Sequence, residues 1–139
     1  MSCYYYSMKP DIQTLTSALQ ASWDSDTAYE AGAWSQDNKA RGQCVVSCLV
    51  VQDYLGGELI RYAVSSDQLN ETHYMNQLDD GTVIDTTASQ YKEPVTMLFK
   101  PINLDGVFNS IRDKRLADAS TRARYALLKQ RVESFLAKP

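Results

Sequence analysis

The chain contains one histidine, His73, and only three cysteines, Cys3, Cys44 and Cys48. An odd cysteine count argues against a disulfide scaffold and for a compartment that keeps thiols reduced. No apolar run approaches the roughly 20 residues that a membrane span needs. The opening Met1-Ser2-Cys3-Tyr4-Tyr5-Tyr6 lacks the basic-then-apolar layout of a signal peptide. A cytoplasmic location with no membrane partner is therefore expected. Internal repeats, low-complexity tracts and linkers are missing, and no nucleic-acid-binding motif occurs, so no nucleic-acid partner is expected. What is present is ordinary for a globular chain: 139 residues, 44% hydrophobic and 22% charged. That suffices for one domain, residues 1–139, with its own core.

Charge is unevenly spread. Residues 1–99 carry 5 Lys/Arg against 13 Asp/Glu, and residues 100–139 carry 9 against 4. The basic C-terminal segment reads first as a solvated helical face. Its sharper reading is a docking surface for an acidic partner on residues 100–139.

The stretch from Gly42 to Gly57 reads as a helix that is apolar on nearly every face, which places it in the middle of a domain. Gly56-Gly57 ends it. Cys44 falls in its first turn, where helical N–H groups and the dipole stabilise negative charge and so suit a thiolate nucleophile. Upstream, Asp11 caps a helix over residues 11–22, with Ile12, Leu15, Leu19 and Trp23 on its buried face. The polar stretch 24–41 is a long connection, of a kind that often carries function, with Trp34 packed on the central helix. Downstream, Glu58–Val64, His73–Leu78 and Thr82–Thr87 read as strands, and residues 88–103 as irregular. Asp105–Asp118 reads as a helix. A last helix, capped by Ser120 or Thr121, carries the stripe Tyr125, Leu128, Val132 and Phe135.

Asp79-Asp80-Gly81 is a hairpin signal. A three-residue loop with Gly81 in the left-handed position pairs Leu78 with Thr82 and Met75 with Asp85. Period-two alternation then sets His73 on the same face as Asp85, as a diagonal neighbour within side-chain reach. A two-residue loop would put the two on opposite faces.

Cys44, His73 and Asp85 are the three residue types that nucleophilic thiol catalysis needs: an ionised thiol, an imidazole that takes and returns a proton, and a group that fixes its tautomer. Gln43 and the N–H of Cys44 are the expected oxyanion donors. Zinc is the competing reading, with Cys44 and Cys48 at i and i+4 and with Cys3 and His73 as further ligands. Both helical cysteines lie among Val45, Val46, Leu49 and Val50, which disfavours a metal knuckle. No metal and no cofactor are expected.

Trp34, Asn38, Gly42-Gln43-Cys44, Gln52-Asp53-Tyr54-Leu55-Gly56-Gly57-Glu58-Leu59, His73-Tyr74-Met75-Asn76, Asp80-Gly81, Ile84-Asp85-Thr86-Thr87 and Gln90-Tyr91 together resemble the YunG-like family of small bacterial and phage proteins. The resemblance covers roughly residues 30–95. It implies a papain-like or transglutaminase-like α+β fold with Cys, His and Asp in that order, and no settled substrate. Met75 stands where the pattern has tryptophan, and Thr86 where it has an aliphatic residue. Both would alter a pocket wall and leave the triad intact. Trp34, Asn38, Tyr74 and Asn76 are the residues expected to contact substrate.

The expected fold is α+β and papain-like, with the central helix packed on a three- or four-stranded antiparallel sheet and a helical C-terminus. The expected function is a cysteine-dependent hydrolase or acyltransferase, of peptidase, amidase or deamidase type, working through Cys44, His73 and Asp85 and a thioester. Its partner would be a small molecule or protein carrying a carbonyl or amide. The alternative is a binding module of the same fold that performs no turnover.

Overall fold

Helix α1, Ile12–Ser22, begins where Asp11 accepts the N–H of Thr14 at 2.7 Å, satisfying one of the donors a helix start leaves open. The computed structural model describes residues 9–138. Leu15, Ala18 and Leu19 turn inward and are fully buried, while Ile12 stays partly exposed at the rim. Helix α2, Cys44–Leu55, follows the long 24–43 connection and is the hub of the core. Val46, Val50 and Val51 share one core cluster with Leu15 and Leu19 of α1 and with Leu128 and Val132 near the C-terminus, and Cys48 and Leu49 pack on Leu59 and Tyr74 of the sheet. Both of its long sides are covered, which is why its sequence shows no polar face.

Gly56 and Gly57, both at positive φ, turn the chain out of α2 and into the sheet. Strands β1 (Glu58–Ser66), β2 (Leu69–Gln77), β3 (Val83–Ile84) and β4 (Thr96–Phe99) form one antiparallel sheet in the order β3-β2-β1-β4. Residues 88–103 are thus not wholly irregular: Thr96–Phe99 is an edge strand, paired with Tyr62–Ser65 of β1. It is short and mostly exposed, so alternation gives it little signature. The long reading of residues 105–118 also contracts. Ser110 caps a six-residue helix α3, Ile111–Leu116. Gly106 at φ +67 and Asp105 at φ +60 keep the preceding turn out of it.

Helix α4, Ala119–Leu136, is capped by Asp118, not by Ser120 or Thr121. The Asp118 carboxylate accepts both the N–H and the hydroxyl of Thr121 at 2.9 Å. Leu128 and Val132 are fully buried against α1 and α2, and Tyr125 and Phe135 are half-buried beside them. Val132→Ala should therefore lower unfolding free energy by about 2 kcal/mol. Phe135→Ala should fall well short of the about 3–5 kcal/mol that a fully buried phenylalanine costs. Urea unfolding of both variants checks the ranking, and a Val132→Ala protein as stable as the parent would mean that α4 does not seal the core.

Among the described residues, no helix is long and apolar enough to cross a membrane. Three of the nine basic residues in residues 100–139 pair with carboxylates of the N-terminal part. Arg112 bonds Asp53 at 2.8 Å, Lys129 reaches the same carboxylate at 3.3 Å, and Arg131 holds Asp24 at 2.9 Å.

Candidate active site

The hairpin between β2 and β3 sets the site. Leu78 donates its N–H to the Thr82 carbonyl at 2.8 Å, and Gly81, at φ +90, donates to the Leu78 carbonyl at 2.9 Å. This is the three-residue loop whose left-handed position suits glycine. Pairing continues through Gln77–Val83 and Asn76–Ile84, so Met75 stands opposite Asp85. His73 shares the Met75 face, and its Nε2 lies 2.9 Å from Asp85 Oδ2.

Asp85 has no proton to give, so Nε2 carries one and donates it; the nitrogen left for other work is Nδ1. The imidazole is fully buried, and the Asp85 side chain is 15% exposed. The other oxygen of Asp85 accepts the N–H of Thr87 at 3.3 Å, which anchors the carboxylate from behind. Burial alone would lower the pKa of His73. The hydrogen bond to Asp85 and the nearby Cys44 side chain outweigh that and raise it to about 9.

Cys44 is the first residue of α2, half-buried, and lines a cavity of about 320 Å³. Its backbone N–H meets no backbone acceptor among the described residues. Cys48, one turn on, is buried in the core, and burial pushes its thiol pKa well up. Cys3, the further zinc ligand, lies outside the described residues. Among those described, no three His, Cys, Asp or Glu side chains gather as a metal site would require.

The other residues singled out in the sequence separate. Gln43 is fully buried and its amide nitrogen donates to the Asp24 carbonyl at 3.0 Å, so its side chain ties down the 24–43 connection. Tyr74 and Asn76 alternate with His73, and their contacts put them against α2. Asn76 donates to the Cys48 carbonyl at 3.0 Å, and Tyr74 packs on Cys48 and Leu49 while one edge reaches the cavity. Trp34 does not pack on the central helix; its indole N–H is held by the Lys39 carbonyl within the loop. Asn38 donates to the Gln90 carbonyl at 3.0 Å and staples the loop to residues 88–90. Of Trp34, Asn38, Tyr74 and Asn76, Tyr74 alone lines the cavity.

Sequence reasoning missed the shell around the imidazole. Tyr91 stacks edge-on against His73, with centroids 5.2 Å apart, and its hydroxyl donates to Glu71 at 2.8 Å. Arg41 binds Glu71 through both terminal nitrogens, at 2.6 and 2.8 Å. Burial would raise the pKa of Glu71, but Arg41 and Tyr91 hold it below the usual carboxylate range. Gln90 lies 3.4 Å from His73 Nδ1 and lines the cavity. Glu71 had a readable signal, since it sits two residues before His73 and so on the same strand face.

The model of the YunG protein family matches residues 11–137. The chain belongs to that family. It is 27% identical over 107 residues to the uncharacterised protein YunG of Bacillus subtilis (strain 168), a match covering 75% of this chain and 86% of the relative. No solved structure matches. The family match reaches beyond the motifs around Cys44, His73 and Asp85, taking in α1 and all of α4.

Proposed function

We propose that this YunG-family chain is a cysteine-dependent hydrolase or acyltransferase built on a papain-like or transglutaminase-like core. The observation that carries the reading is the buried His73, bonded through Nε2 to Asp85 at 2.9 Å, beside a cysteine at the N-terminus of the core helix. A cysteine helix packed on an antiparallel sheet, with the histidine on β2 and the aspartate directly after β3, supports the fold assignment. A lone buried imidazole needs no cavity in front of its thiol neighbour; this thiol lines one of about 320 Å³, within the usual range for small-molecule sites.

In this mechanism the Cys44 proton rests on His73 Nδ1, as the raised imidazole pKa favours, and Cys44 Sγ bonds as a thiolate to the substrate carbonyl carbon. Charge builds on the carbonyl oxygen, and the N–H of Cys44 receives it. The C–N or C–O bond then breaks, and the leaving group takes the proton from Nδ1. A thioester remains on Sγ. Water, or an amine in a transferase, passes a proton to Nδ1, attacks the thioester carbon and frees the thiol. Gln43 has no part in oxyanion binding here, because its amide holds the Asp24 carbonyl. His73 itself does not line the cavity; Cys44 and Gln90, the latter 3.4 Å from His73 Nδ1, line it and stand between the imidazole side and the substrate space.

Iodoacetamide at pH 6.5 should label Cys44 at least about tenfold faster than Cys48, because Cys44 has cavity access and a protonated imidazole beside it while Cys48 is buried. Peptide mass mapping of the folded protein reads the rates. Equal or reversed labelling would defeat the nucleophile assignment and leave the binding module.

A further inference from the structure

Two cations in the cavity wall have no carboxylate partner. Arg115 of α3 and Arg124 of α4 both line the cavity beside Cys44. The Nε of each is buried and unpaired among the described residues. Neither makes a salt bridge with any described carboxylate, whereas Arg41, on the same wall, is fully matched to Glu71. Arg124 holds only the Thr121 hydroxyl, at 3.2 Å, and the face of the Tyr29 ring, 5.6 Å from its centroid. Burial lowers the pKa of Arg124, so its setting disfavours the charge it carries. The neighbouring Asp118 carboxylate is committed to capping α4, and Glu30 sits exposed at the rim. A half-buried guanidinium pair whose one nearby carboxylate, Asp118, is bonded instead to the start of α4 is costly in the empty protein and becomes favourable when an anion arrives. Guanidinium planes bind carboxylate and phosphate oxygens in pairs.

We infer that the substrate of Cys44 is a small anion, with a carboxylate or phosphate seated on Arg115 and Arg124 and its reactive carbonyl facing Cys44. The inference rests on Cys44 being the nucleophile, and it narrows the substrate class. The cavity admits a molecule or side chain of modest size, and its cationic wall selects for charge. The arginines come from two helices remote in sequence from Cys44, so the packing of α3 and α4 over the helix start completes the pocket.

Two alkylating agents of nearly equal size test this. Iodoacetate carries the carboxylate; iodoacetamide does not. The ratio of their rates at Cys44, divided by the same ratio for glutathione at the same pH, should be about tenfold or more in the parent protein at low salt, and should shrink toward one as salt screens it. Arg115→Gln and Arg124→Gln should each reduce the ratio several-fold, whatever they do to the iodoacetamide rate, which the ratio divides out, and Arg124→Lys should retain much of it. Should a glutamine variant fail to fold, protection of the parent Cys44 from iodoacetamide by succinate or inorganic phosphate decides the matter, and also tells carboxylate from phosphate. A parent ratio equal to that of glutathione, with no protection by either anion, overturns the anionic substrate. A Cys44 that resists iodoacetamide itself would instead overturn the nucleophile, a separate failure.

Discussion

Gly57→Ala should destabilise the protein by about 3–5 kcal/mol, the combined cost of a side chain at left-handed φ and of forcing atoms into a packed contact. Gly57 has φ +80, and a Cβ built there would run into the carbonyl oxygen of Gln77, with the Cα of Leu78 at 2.9 Å. Both obstacles are backbone, so no rotamer change relieves them. The obstructing residues are the end of β2, just before the Asp79-Asp80-Gly81 loop, and they cannot retreat without shifting the hairpin that carries His73 and Asp85. The expected melting temperature falls by roughly 10–20 °C, and Cys44 labelling slows in whatever remains folded. Gly81→Ala is the control: φ is +90 there, yet no atom lies within 4 Å of the added carbon. It should cost about 1–2 kcal/mol, the strain alone. A Gly57→Ala protein no weaker than Gly81→Ala would show that the turn out of α2 does not abut the hairpin so closely.

Local rules carried much of the site. The loop Asp79-Asp80-Gly81 dictates register, register dictates face, and the face brings His73 to Asp85. The apolar run after Gly42 marks the core helix and puts Cys44 at its start. Both are arguments of short range, and Asp11 capping α1 is another. Where the sequence misled, the cause was tertiary. Alternation already placed Tyr74 and Asn76 opposite His73, but nothing local said which face meets α2. Gln43 sits beside the nucleophile in sequence, and only the path of residues 24–43 shows its amide tied to Asp24. Arg115 and Arg124 lie in helices of ordinary basic composition; their lack of partners appears only once Arg112, Lys129 and Arg131 are seen paired. The α4 cap moved to Asp118 because several candidate residues lie close together, and a carboxylate satisfies the Thr121 N–H and hydroxyl together. Strand β4 is four residues long and borrows its order from β1.

Asp85→Asn separates charge from shape at the centre of the site. The carboxylate has two acceptor oxygens in use: Oδ2 takes the Nε2 proton of His73, and Oδ1 takes the N–H of Thr87. An amide has one oxygen. If that oxygen stays on Thr87, the NH₂ faces Nε2, which must then accept, and the imidazole proton moves to Nδ1. The nitrogen that should serve Cys44 is then no longer a base. If the oxygen stays on His73, the tautomer survives but the charge that holds the imidazolium is gone. Either way iodoacetamide labelling of Cys44 at pH 6.5 should slow by about tenfold or more. Stability should move with pH in a direction that follows from the same pair. His73 is raised from 6.5 to about 9 in the folded protein, so the fold binds its proton more tightly than the unfolded chain does. The stabilisation is complete below about pH 6.5 and is lost as pH climbs through about 9. The parent protein should therefore weaken over that interval, by an amount on the order of 3 kcal/mol. Asp85→Asn should be weaker than the parent mostly at the acid end of the interval, and its own slope should be shallower, with what Cys44 contributes remaining. Guanidinium unfolding at pH 6, 7.5 and 9 measures both. Parallel pH profiles for the two proteins, with an unchanged labelling rate, would mean that Asp85 neither charges nor orients His73, and the triad would reduce to Cys44 and His73.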